Sequence, residues 1–501
     1  MIRQIILAAA ALVVVVVVAA AAVIASDSSG GDHAEPDAQR DAERDADDSS
    51  ATTTATSAEL STGSARPGGT GVGDPYFPEA GNGGYDVERY VLDLTWDPAD
   101  EHLEGVTTIT ATATQPLSRF ALDLVGLDVS RVVVDGERAR AERRGDRDLI
   151  VTPAAPIADG VSFESVVDYG GSPAAIAGAD PVDPGWWSDG GEVYVASEPD
   201  GAATFFPAND HPSDKAAYEI RVTVPDGLDV AANGELRQTL RGDGVQTWVY
   251  DAPDPMATYL VQVVIADLTF EETTGPGGLP IHNAYDADVG SEARGALAPT
   301  AGMIGFYDDR FGPFPFESYG GVVVDDELGF ALETQTLTLF GADALAEPIV
   351  AHELAHQWFG NHVSPATWRD IWLNEGFATY AEWLWSEHTG GVSIDDIAAE
   401  AALSPGLDRP PGDPGADHLF ASTVYVRGAL TLHVLRHTLG DDAFFELVRA
   451  WLDRYGGDAA STADFEALAA EVGAREPGDL DALFDAWLRA PRLPRLDDWI
   501  G

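Results

Sequence analysis

The sequence predicts an α+β chain, with an all-β domain followed by a mainly helical one. Three observations carry this. From Tyr85 to about Phe270 apolar and polar residues alternate with period two. From about Glu271 the apolar spacing becomes helical. In that second half, His352 and His356 stand four apart, one turn of a helix.

Taken in order, residues Ile5 to Ala25 are all Ile, Leu, Val or Ala. About 21 residues of helix span roughly 30 Å, the thickness of the hydrocarbon layer. Arg3 precedes the run and Ser26-Asp27 follows it, so a membrane helix would leave the rest of the chain outside. The alternative is an export signal cut after Ala25. The run exceeds the ~7–15 residues of a typical signal core, which favours an uncleaved anchor. Either way the chain is expected to be exported, held at the outer face of the membrane through residues 5–25 or secreted. Four segments follow: 1–25 as anchor or signal, 26–74 as an acidic disordered linker, 75–270 as the β domain and 271–501 as the second domain.

The linker expectation rests on a stretch rich in Ser, Thr, Gly, Ala and Asp, almost without large apolar residues. It holds only −8 of the net charge of −56, so the acidity belongs to the domains. Lys215 is the one lysine and there is no cysteine. A disulfide and a lipidated Cys are therefore excluded, and the charge excludes nucleic acid as a partner. A surface this acidic repels itself unless salt screens it, which points to adaptation to high salt.

In the β stretch, Tyr90, Leu92, Leu94 and Trp96 alternate with polar residues, as do Tyr218, Ile220, Val222 and Val224. Asp135-Gly136, Pro225-Asp226-Gly227 and Asn233-Gly234 supply turns. Later, His352–Phe359, Ile371–His388, Thr423–Leu439 and Asp441–Tyr455 read as helices. Gly321–Val324 and Leu332–Leu339 remain strand-like.

His352-Glu353-Leu354-Ala355-His356 is the chemical centre. Two imidazoles on one helix face can converge on a metal, with Glu353 beside them. Glu375, in Trp372-Leu373-Asn374-Glu375-Gly376, lies on a second helix after a Gly360-Asn361 stop and supplies a third ligand. Two imidazoles and a carboxylate suit one Zn2+ and leave a position open. Zinc lowers the pKa of bound water to roughly 7, and Glu353 can take its proton. Glu382, seven residues beyond Glu375 on the same face, could orient a ligand histidine. His433 and His437 are also four apart, but the sequence shows no third ligand or base beside them, so they read as ordinary helix residues.

The blocks HELAHQWFGN (352–361) and WLNEGFATY (372–380) resemble those of the one-zinc gluzincin aminopeptidases, the family of aminopeptidase N and leukotriene hydrolase. FFPANDHPSDKA (205–216), FALETQT (330–336) and YVRGALTLHVLR (425–436) extend the resemblance from about Tyr85 to Arg495. It implies a thermolysin-like second domain and peptide substrates with a free N-terminus. Glu333 matches the glutamate that holds the substrate amine. Phe330, Leu332 and Thr334 depart from the family's Gly, Met and Asn around it. The motif would lie on an edge strand able to pair with the peptide. Glu198 matches a second amine-facing position, with Ala196 replacing the usual glutamine. Tyr425 matches the tyrosine that donates to the developing oxyanion. The expected activity is zinc aminopeptidase. A catalytically idle binding module and a zinc endopeptidase are the alternatives. Oligomeric state stays open.

Overall fold

The computed structural model describes residues 64–500, apart from 178–182, 288, 326–327, 474 and 476–477. Residues 5–25 lie outside the described residues, as does most of the expected linker.

The period-two stretch forms an eight-stranded sheet. Its order is Glu235–Gly242, Val245–Ala257, Lys215–Pro225, Tyr85–Asp97, His102–Ala113, Ser162–Gly171, Asp128–Val134 and Glu137–Arg138. Neighbours are antiparallel except the central Lys215–Pro225 and Tyr85–Asp97 pair. Tyr90, Leu92, Leu94 and Trp96 are buried together with Tyr218, Ile220, Val222 and Val224, as alternation on a one-sided sheet requires. Two four-stranded sheets accompany it. One contains Gly185–Asp189, Glu192–Ala196, Val263–Ala266 and Asp229–Ala232. Trp186, Phe205 and Phe206 pack in its core.

A five-stranded sheet follows, ordered Leu268–Thr274, Pro280–Asp286, Gly321–Val324, Thr338–Gly341 and Ala331–Leu332. The domain boundary expected at 270 falls inside its first strand, which pairs antiparallel with Pro280–Asp286. The short Ala331–Leu332 strand forms one edge.

Among the described residues, the α-helices of seven residues or more are α1 (Ser291–Leu297), α2 (Thr300–Phe311), α3 (Glu347–Ala355), α4 (Trp372–His388), α5 (Ile394–Ala401), α6 (Gly428–Leu439), α7 (Asp441–Tyr455) and α8 (Thr462–Val472). The helix expected over 352–359 ends sooner, at Ala355. His356 keeps helical backbone, with its N–H on His352 O at 3.3 Å, and the chain then turns through Gly360 at φ +118°. The helix expected to start at Thr423 opens with a π-turn over Thr423–Arg427. Arg427, fully buried, explains this. Its guanidinium donates to the carbonyls of Trp487, Leu407, Arg409, Ala486 and Ala490, which fixes the wide turn.

The linker expectation fails for residues 64–74. Arg66–Pro67 pairs with Leu117–Asp123, and Asp74 is buried, not solvated. Its carboxylate accepts from the backbone N–H of Tyr76, Phe77 and Trp368, and lies 3.2 Å from His211 Nε2. Low apolar content hid this because the segment is held by polar bonds rather than by a hydrophobic face.

Candidate active site

Backbone placement comes first. α4 crosses the start of α6 so closely that a Cβ on Gly376 would meet Gly428 backbone at 2.9 Å. Only glycine allows that approach. It sets Glu375 on α4 beside Tyr425 on the π-turn. α3 packs against α4 as well, so both histidines face Glu375.

Glu375 Oε2 lies 3.2 Å from His352 Nε2 and 3.6 Å from His356 Nε2. One donor atom from each of the three residues falls within 4.8 Å of the others, and all three side chains are buried. The outer nitrogens are engaged. His352 Nδ1 is 2.6 Å from Glu382 Oε1, and His356 Nδ1 is 3.0 Å from Phe359 O. Protons on both Nδ1 atoms leave both Nε2 lone pairs aimed at one point. The donor set and its tautomers therefore fit a zinc ion.

Glu353 is buried, and its Oε2 makes no hydrogen bond. Burial pushes its carboxyl up to about 8, with the histidines opposing and Glu333 and Glu375 adding to the rise. Burial alone would also raise Glu375, but His356 and His352 hold it down to about 2. Tyr425 stacks near His352 at 5.8 Å between ring centroids. Burial, then Glu375, Glu198, Glu333 and Glu353, push its phenol well above the usual range, so it keeps its proton to donate.

Glu333 follows the edge strand, and its Oε1 lies 4.0 Å from His356 Nδ1. Glu198 comes from the β domain, and its carboxylate shares a cluster with Glu333 and Glu375. Burial raises both Glu198 and Glu333. Neighbouring carboxylates add to each, while His356 opposes the rise at Glu333. Glu198 Oε1 and Glu333 Oε1 have no hydrogen-bond partner. The fold thus brings together all eight residues singled out in the sequence.

Positioning residues went unread there. Gln357 Nε2 and Asn361 Nδ2 donate to Glu333 O at 3.1 and 2.7 Å, and Gln357 Oε1 accepts from Thr336 N. Lys215 reaches from the β domain to donate to Asn361 O and His362 O at 2.7 and 2.9 Å. Gln357 and Asn361 lie inside the 352–361 block, but nothing local marks which strand they hold.

Comparison with known proteins gives the chain a family. The Peptidase family M1 domain matches residues 296–487 and the Peptidase M1 N-terminal domain matches 186–260. The crystal structure of an M1 zinc metallopeptidase from Deinococcus radiodurans is 34% identical with a TM-score of 0.81, covering 86% of this chain and 99% of that one. A mutant of it bound to Tyr-Ser-Ala matches at a TM-score of 0.80. Endoplasmic reticulum aminopeptidase 1 of Homo sapiens is 27% identical over 70% of this chain but 42% of its own length. The chain spans about two-fifths or less of such curated relatives. It belongs to the M1 family of zinc metallopeptidases, whose members carry a single catalytic zinc.

Proposed function

We propose that this chain is a zinc aminopeptidase removing residues from the free N-terminus of peptides. The observation that carries this is the pair of unpartnered buried carboxylate oxygens on Glu198 and Glu333 beside the metal-ligand set. A buried anion without a partner is costly, and a substrate ammonium answers it. An endopeptidase substrate presents no ammonium there.

His352, His356 and Glu375 would hold the zinc. When bound, the ion polarises a carbonyl and makes water acidic enough to lose a proton near neutrality. Glu353 is placed to take that proton and pass it to the leaving amine. Tyr425 donates a hydrogen bond from its phenol to the carbonyl oxygen as charge develops. Glu333 and Glu198 hold the ammonium, which fixes the scissile bond one residue in. The edge of Ala331–Leu332 offers backbone groups for the peptide. The Tyr-Ser-Ala complex of the Deinococcus relative supports a short free peptide as substrate.

The apolar run over residues 5–25 supports export, with the enzyme on the outer membrane face or released. The net charge of −56 supports a salt-rich setting.

The test is mass analysis of a free tripeptide incubated with the zinc-loaded chain. Stepwise loss of N-terminal residues is expected. Cleavage inside longer peptides at the same rate, or no cleavage, would overturn the assignment.

A further inference from the structure

The fold supplies what the sequence around His433 and His437 lacked. Both lie on α6, and the first turn of α5 brings Asp395 to them. Asp395 Oδ1 stands 3.5 Å from His433 Nε2 and 3.1 Å from His437 Nε2. The three donor atoms lie within 4.8 Å of one another. Ligands placed tetrahedrally at about 2.0–2.1 Å from zinc are about 3.4 Å apart, so the two distances bracket what an ion requires.

The geometry repeats that of the catalytic pair. His352 and His356 have ring centroids 4.7 Å apart and planes at 75°; for His433 and His437 the values are 4.7 Å and 69°. In each set one carboxylate oxygen faces both Nε2 atoms.

An independent observation points to a ligand. His433 is fully buried, and its Nε2 makes no hydrogen bond. Its Nδ1 lies 3.4 Å from the Tyr380 hydroxyl, to which Arg436 Nη1 also donates. With the Nδ1 proton given to the Tyr380 oxygen, Nε2 carries a lone pair facing the Asp395 carboxylate. A cation would turn that lone pair, and the Asp395 oxygen that His437 Nε2 already contacts at 3.1 Å, into ligands.

We propose that His433, His437 and Asp395 form a second divalent-cation site. Two imidazoles and one carboxylate select a first-row ion such as zinc, cobalt or nickel over magnesium or calcium, which take oxygen ligands. Asp395 and His437 are exposed, so the ion enters from solvent, and water completes its shell. The bound ion clasps α5 to α6, the helix that continues the Tyr425 π-turn.

Metal counting on the tag-free full chain, after equilibrium dialysis against micromolar zinc, tests this. Wild type, His437→Ala and Asp395→Ala are compared. Both substituted side chains are at the surface, and equal melting temperatures in chelator would show that the variants fold. Two zinc ions in the wild type and one in each variant, with peptide hydrolysis unchanged, is the expected result. A single ion in the wild type, or two ions retained in both variants, overturns the proposal.

Discussion

Glu382 Oε1 lies 2.6 Å from His352 Nδ1, one helical face and two turns beyond Glu375. The two carboxylates of α4 therefore grip one imidazole from both ends, since Glu375 Oε2 is 3.2 Å from His352 Nε2. Such a partner fixes the ring and raises its basicity. Glu382→Ala should weaken zinc binding by roughly 10–100-fold while leaving the fold intact. Chelator competition measures this; an unchanged zinc affinity would show that Glu382 has no such role.

Asp74 should make stability acid-sensitive. Burial raises its carboxyl, but His211 and the N–H groups of Phe77, Trp368 and Tyr76 outweigh that and bring it to about 2. A folded value below the unfolded one means stability that is fully present above about pH 4 and lost as pH falls towards 2. Asp74→Asn should cost about 2 kcal/mol at neutral pH. Urea unfolding at several pH values should show that gap narrowing below pH 4. A gap independent of pH would mean that the bond geometry, not the charge, carries the effect.

Salt should stabilise the chain. The one lysine is half-buried and donates to Asn361 O and His362 O, so arginine is the main cation set against 84 acidic residues. Repulsion among exposed carboxylates shrinks in range as the Debye length falls from about 10 Å at 0.1 M to about 3 Å at 1 M. Melting temperature should rise between about 0.1 and 2 M sodium chloride, with activity following. A flat melting temperature would show that the acidic surface needs no screening.

What was legible in the sequence follows the range of the physics. Periods of two and 3.6 are local, so the β and helical halves could be read, as could the His352–His356 pair and its link to Glu375. Contacts set by long-range packing could not. The Asp395 carboxylate reaches His433 and His437 only because α5 folds back on α6. The π-turn at Tyr425 comes from Arg427 finding carbonyls about sixty residues away. Asp74 looks like the last polar residue of a linker, and only its tertiary partners make it part of the core. Lys215 looks like strand register, yet its amine joins the β domain to the loop after His356.

The central claim is that the Glu333 and Glu198 carboxylates select a free N-terminal ammonium. The most direct measurement is kcat/KM for one aminoacyl amide and its N-acetylated form, for wild type and Glu333→Ala, with zinc content matched. Removing one partner of a desolvated charge pair costs on the order of 2–5 kcal/mol. The wild type should prefer the free amine by at least that amount, and Glu333→Ala should lose most of the preference. Equal rates on the two substrates with the wild-type enzyme would contradict the account.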